Sequence, residues 1–184
     1  QPTEQELLSE LWGRRVPGDE EIPEVPEGYT ARDVYARIVQ KKLGEEYEQD
    51  FSGYSTAQTL DSIEYFVFPN FFIFPGLSLP MAYRFRPDPE DPDYSFFDLY
   101  FLRPSHPEKA PPPPPDPLIL DVDDSYTQAE GLGFLGAVYD QDTSNMAAQT
   151  RGFKACARGS QTLGNYQECR IRHLHKRVND YVQN

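Results

Sequence analysis

Two carboxylates, Asp140 and Asp142, stand two residues apart in the stretch LGFLGAVYDQDTSNMAAQTRGFKAC, residues 132–156. An apolar approach delivers them to what reads as a helix start, where Thr143 and Ser144 suit a first turn. Met146, Ala147 and Phe153 can then face inward. A carboxylate at such a place has two ordinary uses. It can accept the backbone N–H groups that a helix start leaves unpaired, or it can share a metal ion with nearby imidazoles as an oxygen ligand. Spacing leaves both open, with capping the commoner of the two.

The chain has only three histidines, so the metal reading is tightly bounded. His106 lies beside Pro107 in a Pro-rich stretch and is expected on the surface. His173 and His175 fall on one helix, and residues two apart there point roughly 200° away from each other. They cannot both face one ion, so a structural role is expected, one packed and hydrogen-bonded and the other near solvent. Cys156 and Cys169 have no metal-binding spacing and form no disulfide framework. Two plain thiols fit a reducing, cytoplasmic compartment.

The elements that must position these groups can be read from period and punctuation. Residues 1–28 combine a short helical pattern (Leu7, Leu8, Leu11, Trp12) with an acidic, Pro-rich connector over residues 16–28. Thr30 makes a helix N-cap with Asp33 three positions on, and Val34, Tyr35, Ile38, Val39, Leu43 and Tyr47 carry the helix through residues 30–47. Gly44 is expected to fray its end. Residues 62–103 change period: 62–69, 71–75, 80–87 and 94–103 are aromatic and β-branched runs bounded by turn formers, and so read as antiparallel strands. In the third run Met81, Tyr83 and Phe85 share one face, and Ala82, Arg84 and Arg86 the other. A Pro-rich loop, residues 104–117, contains five consecutive prolines and favours an extended arm. A short helix is expected over residues 123–131. The ligand segment and a long C-terminal helix fill residues 132–184, the helix capped by Asn165 with Glu168 closing a capping box. The fold class is α+β, an antiparallel sheet with packed helices.

Hydrophobic residues make up 38% of the 184, with 12 Phe and 12 Tyr, enough for a sizeable core. The net charge of −13 opposes a nucleic-acid backbone or an anionic membrane as partner. The longest apolar stretch, near residues 65–80, is broken by Pro69, Asn70, Pro75 and Gly76, so no membrane span is expected.

Three separated segments, in order, resemble the catalytic domain of Rieske-type non-haem iron oxygenases, the alpha subunits of ring-hydroxylating enzymes. They are EYFVFPNFFIFPG…MAYRFRPDPEDPDYSFFDLYFLRP, then GAVYDQDTSNMAAQTRGFKA, then GSQTLGNYQECRIRHLHKRVNDYV, together covering roughly residues 60–184. The resemblance implies a helix-grip-like domain, here incomplete. It also implies that a D-x-x-N-type segment gives one carboxylate to a facial triad on mononuclear Fe(II), beside two histidines. The matching residue is Asp142, with Asn145 three positions on. Many relatives carry a second Asp directly after the ligand; here that position is Thr143, and Asp140 becomes a polar neighbour. Val138, four residues before the ligand, corresponds to a residue lining the substrate pocket, and Leu132 and Phe134 lie on the same approach.

No Cys-x-His or Cys-x-x-His pair is present to hold a Rieske [2Fe-2S] cluster. The resemblance therefore implies that the Rieske domain and both iron histidines lie outside this chain, and that the fragment alone is inactive. The expected partners are an aromatic or apolar substrate, dioxygen, and a ferredoxin or reductase as electron donor. The intact protein is expected as a homotrimer or an alpha–beta hetero-oligomer. A different class, a non-catalytic helix-grip binder of apolar ligands, would share the aromatic sheet and long final helix without any metal.

Overall fold

A computed structural model describes residues 1–15 and 21–183, so residues 16–20 of the expected acidic connector lie outside the described residues. The chain divides into two compact units, Gln1–Pro112 and Pro113–Asn184.

The first unit begins with three helices, α1 (Glu4–Arg15), α2 (Ala31–Tyr47) and α3 (Thr56–Leu60). Thr30 caps α2 as its sequence requires: its side chain accepts from the Asp33 N–H, and the Asp33 carboxylate accepts in return from the Thr30 N–H. Asp33 also takes the Thr56 hydroxyl at 2.9 Å, which ties the start of α2 to the start of α3. Where α1 lies along α2, Leu8, Trp12, Ala31 and Ala36 are buried. A buried Leu side chain contributes roughly 1.5–3 kcal/mol relative to exposure. The α2 helix runs through Gly44 to Tyr47 instead of fraying there, and ends at Glu48 in the left-handed region, φ 53°. The short helix α3 has its own Ser55–Gln58 capping box, an S-x-x-Q signal that sequence reading passed over.

Four strands follow in the order of the chain, β1 (Tyr65–Val67), β2 (Phe71–Phe74), β3 (Met81–Pro87) and β4 (Ser95–Phe101), each antiparallel to the next. The alternation expected along β3 sorts the sheet into two faces. On one, Phe72 lies directly across from Tyr83 and Phe85 from Phe97, whose rings stack with centroids 4.6 Å apart. Phe66 and Phe74 extend this aromatic face, with centroids 4.8 Å from Phe72 and 5.1 Å from Tyr83. On the other face Arg84 lies across from Asp98. The Asp98 carboxylate accepts from Arg84 Nε and Arg86 Nε, each at 2.8 Å, and from Arg86 Nη2 at 3.0 Å. Those bonds, Arg86's first, hold the Asp98 carboxyl down at about 2. The β2–β3 connection meets the helical layer where Asp61 accepts the Ser78 hydroxyl on its carbonyl at 3.1 Å.

The second unit holds two 3-10 turns, Tyr126–Gln128 and Glu130–Leu132, then α4 (Leu135–Ala155) and α5 (Cys169–Gln183). Sequence reading placed one short helix where the two 3-10 turns lie. The last helix begins at Cys169, three residues later than a cap at Asn165 implies. The Glu168 carboxylate instead takes the Gly164 N–H, and the Arg172 guanidinium donates to the carbonyls of Gly164 and Asn165, so residues 164–168 form a turn preceding the helix. The architecture is α+β, with an antiparallel sheet, packed helices and a C-terminal helix. Among the described residues no helix is long and apolar enough to cross a membrane.

Candidate functional site

The segment bearing Asp140 and Asp142 is built around Gly133 and Gly136. Gly133 turns the chain at φ 52°, a conformation that costs little only without a side chain, and α4 starts two residues later. Gly136 then seats the first turn of α4 against the preceding 3-10 turn. A Cβ there would stand 3.0 Å from Thr127 Cα and 3.1 Å from the Tyr126 carbonyl oxygen. Leu132, Gly136 and Tyr139 are the buried residues of this contact, and the Tyr126 and Tyr139 rings lie 5.7 Å apart. Leu132, expected as a possible pocket residue, is therefore part of this small core.

The helix begins at Leu135, so both carboxylates lie inside it and neither caps it, against the capping use that spacing favours. The reason lies upstream. The α4 N-cap position is Phe134, with no side-chain acceptor, and the chain enters the helix through the Gly133 turn. Asp140 nevertheless serves as a cap, for a different element. Its two oxygens accept from Ser125 Oγ at 2.6 Å and from the Tyr126 N–H at 2.8 Å, which pins the first 3-10 turn onto α4. Burial, with the Asp140 charge beside it, pushes the Tyr126 phenol above its ordinary range. This Ser125–Tyr126–Asp140 device was missed in the sequence. Its only local sign is Ser125 as a turn-capping residue.

Asp142 differs from its neighbour in both respects. It is exposed, and among the described residues it has no hydrogen-bond or ion-pair partner. Helical spacing sets Val138 one turn before it and Asn145 and Met146 one turn after, so these residues share one stripe of α4. Val138 is 40% exposed and Met146 51%. Phe134, at the head of the helix, and Phe153, further along it, are exposed too. Met146 and Phe153 thus face outward, not inward as expected, because the buried face of α4 is the one carrying Gly136 and Tyr139. Asn145 spends its amide on the Gln141 carbonyl at 3.1 Å, and Thr143 its hydroxyl on the Tyr139 carbonyl at 2.7 Å. The uncommitted polar group in this apolar stripe is the Asp142 carboxylate.

His173 and His175 are both exposed on α5, where one was expected to be packed. The packing did not arise because α5 has no buried residue at all. His106 is half-buried and accepts the Glu108 N–H on Nδ1 at 3.1 Å. Among the described residues no group of three His, Cys, Asp or Glu side chains could hold a metal ion. The residues present thus fit an iron site only as the donor of one carboxylate. Two hollows of the first unit, one lined by Arg37, Gln40, Asp50 and Phe51 and the other by Trp12, Ile38 and Lys42, lie on other elements.

Comparison with known proteins adds one finding. The family model described as "Ring hydroxylating alpha subunit (catalytic domain)" matches residues 26–184, from the connector before α2 to the end of α5. No curated protein and no solved structure matches the chain.

Proposed function

The chain belongs to the ring-hydroxylating alpha subunit family, in its catalytic domain, and from that premise we propose that Asp142 is one ligand of the mononuclear non-haem iron of such an oxygenase. The observation that carries the assignment is the contrast between two neighbouring carboxylates. Asp140 is consumed by the Ser125–Tyr126 turn, whereas Asp142 is uncommitted on an exposed stripe of the same helix.

This chain's own residues have three tasks in that reading. Asp142 offers a hard oxygen donor, one of three in a 2-His-1-carboxylate face. Asp140 holds the α4 start rigid by clamping the preceding turn, so the ligand is presented on a fixed helix. Val138 and Phe134, exposed and apolar on the approach to Asp142, contact an aromatic or similarly apolar substrate. Bound at this carboxylate and two histidines outside the chain, the iron supplies dioxygen activation, with electrons from a Rieske [2Fe-2S] cluster and its ferredoxin or reductase donor. With a single ligand of its own, the isolated chain retains no stoichiometric iron and does not turn over. In the intact enzyme it works as a homotrimer or an alpha–beta hetero-oligomer.

The test is isotopic. Supplied with reductant, an electron donor and ¹⁸O₂, the oxygenase carrying this chain is expected to place ¹⁸O in an aromatic substrate. Tight binding of apolar ligands with no oxygen incorporated, in protein of full iron content, would overturn the assignment and leave a helix-grip binding module in its place.

A further inference from the structure

Tyr126 touches α4 with its N–H, its ring and its hydroxyl. The N–H donates to Asp140 Oδ1 at 2.8 Å, the ring lies 5.7 Å from that of Tyr139, and the phenol hydrogen-bonds the Thr143 hydroxyl. Tyr126 and Thr143 are both half-buried. A Thr hydroxyl has a single proton to give, and that of Thr143 goes to the Tyr139 carbonyl at 2.7 Å, so the phenol is the donor in the Tyr126–Thr143 bond. The result is a hydrogen-bond chain from Tyr126 through Thr143 to the Tyr139 carbonyl, each bond polarising the next. A helix of 21 residues makes its own backbone bonds through its interior and does not need this chain in order to form. What the chain fixes is geometry. A Thr hydroxyl returned to the carbonyl four residues back bends a helix slightly, and the phenol keeps Thr143 from rotating out of that arrangement.

We propose that Tyr126 is a positioning residue of the iron site, acting through the Thr143 hydroxyl to fix the helical turn that presents Asp142. Asp142 lies inside the gripped span, between Asp140 and Thr143 in sequence and about 100° around the helix from Thr143. Asp140 holds the backbone of the 3-10 turn on one side of it, and Thr143 holds the phenol on the other. The direction in which α4 offers Asp142 is therefore set by contacts that leave its carboxylate open. Partners of this kind orient a ligand without touching the metal. The inference rests on the Asp142 assignment and adds a specific requirement to it: the hydroxyls at positions 126 and 143 are needed as a pair, beyond the ring and the methyl group that pack beside them.

The test uses the intact oxygenase. Tyr126→Phe keeps the ring and the N–H and removes only the hydroxyl. Thr143→Val removes the other hydroxyl at nearly constant shape, and Thr143→Ser retains it. Tyr126→Phe and Thr143→Val are each expected to purify folded and to bind ferrous iron about ten-fold more weakly against a competing chelator. Each is also expected to shift the electron paramagnetic resonance signal of the ferrous site probed with nitric oxide. The combined variant is expected to be no weaker than either alone, because both substitutions cut one chain. Thr143→Ser is expected to keep the wild-type affinity and signal. Wild-type affinity and signal in Tyr126→Phe and Thr143→Val, with only the unfolding midpoint lowered, would reduce the contact to packing and overturn the inference. So would additive losses in the combined variant, or a Thr143→Ser variant as weak as Thr143→Val. Asp142→Ala, measured beside them, separates the two claims. If it loses iron while Tyr126→Phe binds as wild type, the positioning role alone falls; if it keeps full iron, the ligand assignment falls and the positioning role with it.

Discussion

Asp140 and Asp142 have the same side chain and lie two residues apart on one helix, yet their surroundings give them opposite uses. Two hydrogen bonds hold Asp140, and Asp142 has none among the described residues. A third carboxylate, Asp98, shows what full commitment does. Two arginines bind it and its carboxyl falls from 3.8 to about 2. Lowering the folded-state value means that the contribution is present above the unfolded value and is lost as pH falls from about 4 toward 2. Allowing for solvent around half-exposed arginines, it is worth about 1–2 kcal/mol near neutral pH. Asp98→Asn is therefore expected to lower stability by that amount above pH 5, with the two denaturation midpoints converging as pH approaches 2. A constant offset across the whole range would show that the ion pair contributes nothing through protonation. At this scale the sequence was informative about type and poor about partner. The D-x-D spacing marked both candidate carboxylates, but Ser125, fifteen residues upstream of Asp140, is invisible to local pattern.

Secondary elements were legible where local chemistry decides them. The Thr30–Asp33 box, the alternation along β3 and the aromatic runs of the sheet each depend on neighbours a few residues away, and each formed, although the first run, read over residues 62–69, pairs only over Tyr65–Val67. The starts of α4 and α5 were misjudged because features outside the helical pattern set them: the Gly133 turn and the 3-10 turns before it in one case, the Arg172 and Glu168 contacts to Gly164 and Asn165 in the other. Gly136 is the sharpest of these, since nothing in its sequence setting announces that Thr127 lies against it. Gly136→Val is expected to force the α4 start off the 3-10 turn and to cost about 1–3 kcal/mol in chemical denaturation. An unchanged midpoint would mean that the turn yields freely and does not fix α4. Loss of that seat would also release Asp140 from Ser125, so the same variant links packing to the presentation of Asp142.

At the scale of the molecule, fold class and family were readable because they are carried by long stretches, the aromatic sheet and the α4 segment, in a fixed order. Exposure of the α4 stripe was not, because an apolar residue at helical spacing reads as core unless the opposite face is known to be the one that packs. The central claim is that Asp142, and not Asp140, binds iron. It is tested most directly by the iron content of the intact oxygenase carrying Asp142→Ala or Asp140→Ala. Asp142→Ala is expected to purify folded with little iron at the mononuclear site. Asp140→Ala is expected to be less stable but to retain most of it. Full iron in the first variant, with loss confined to the second, would contradict the assignment.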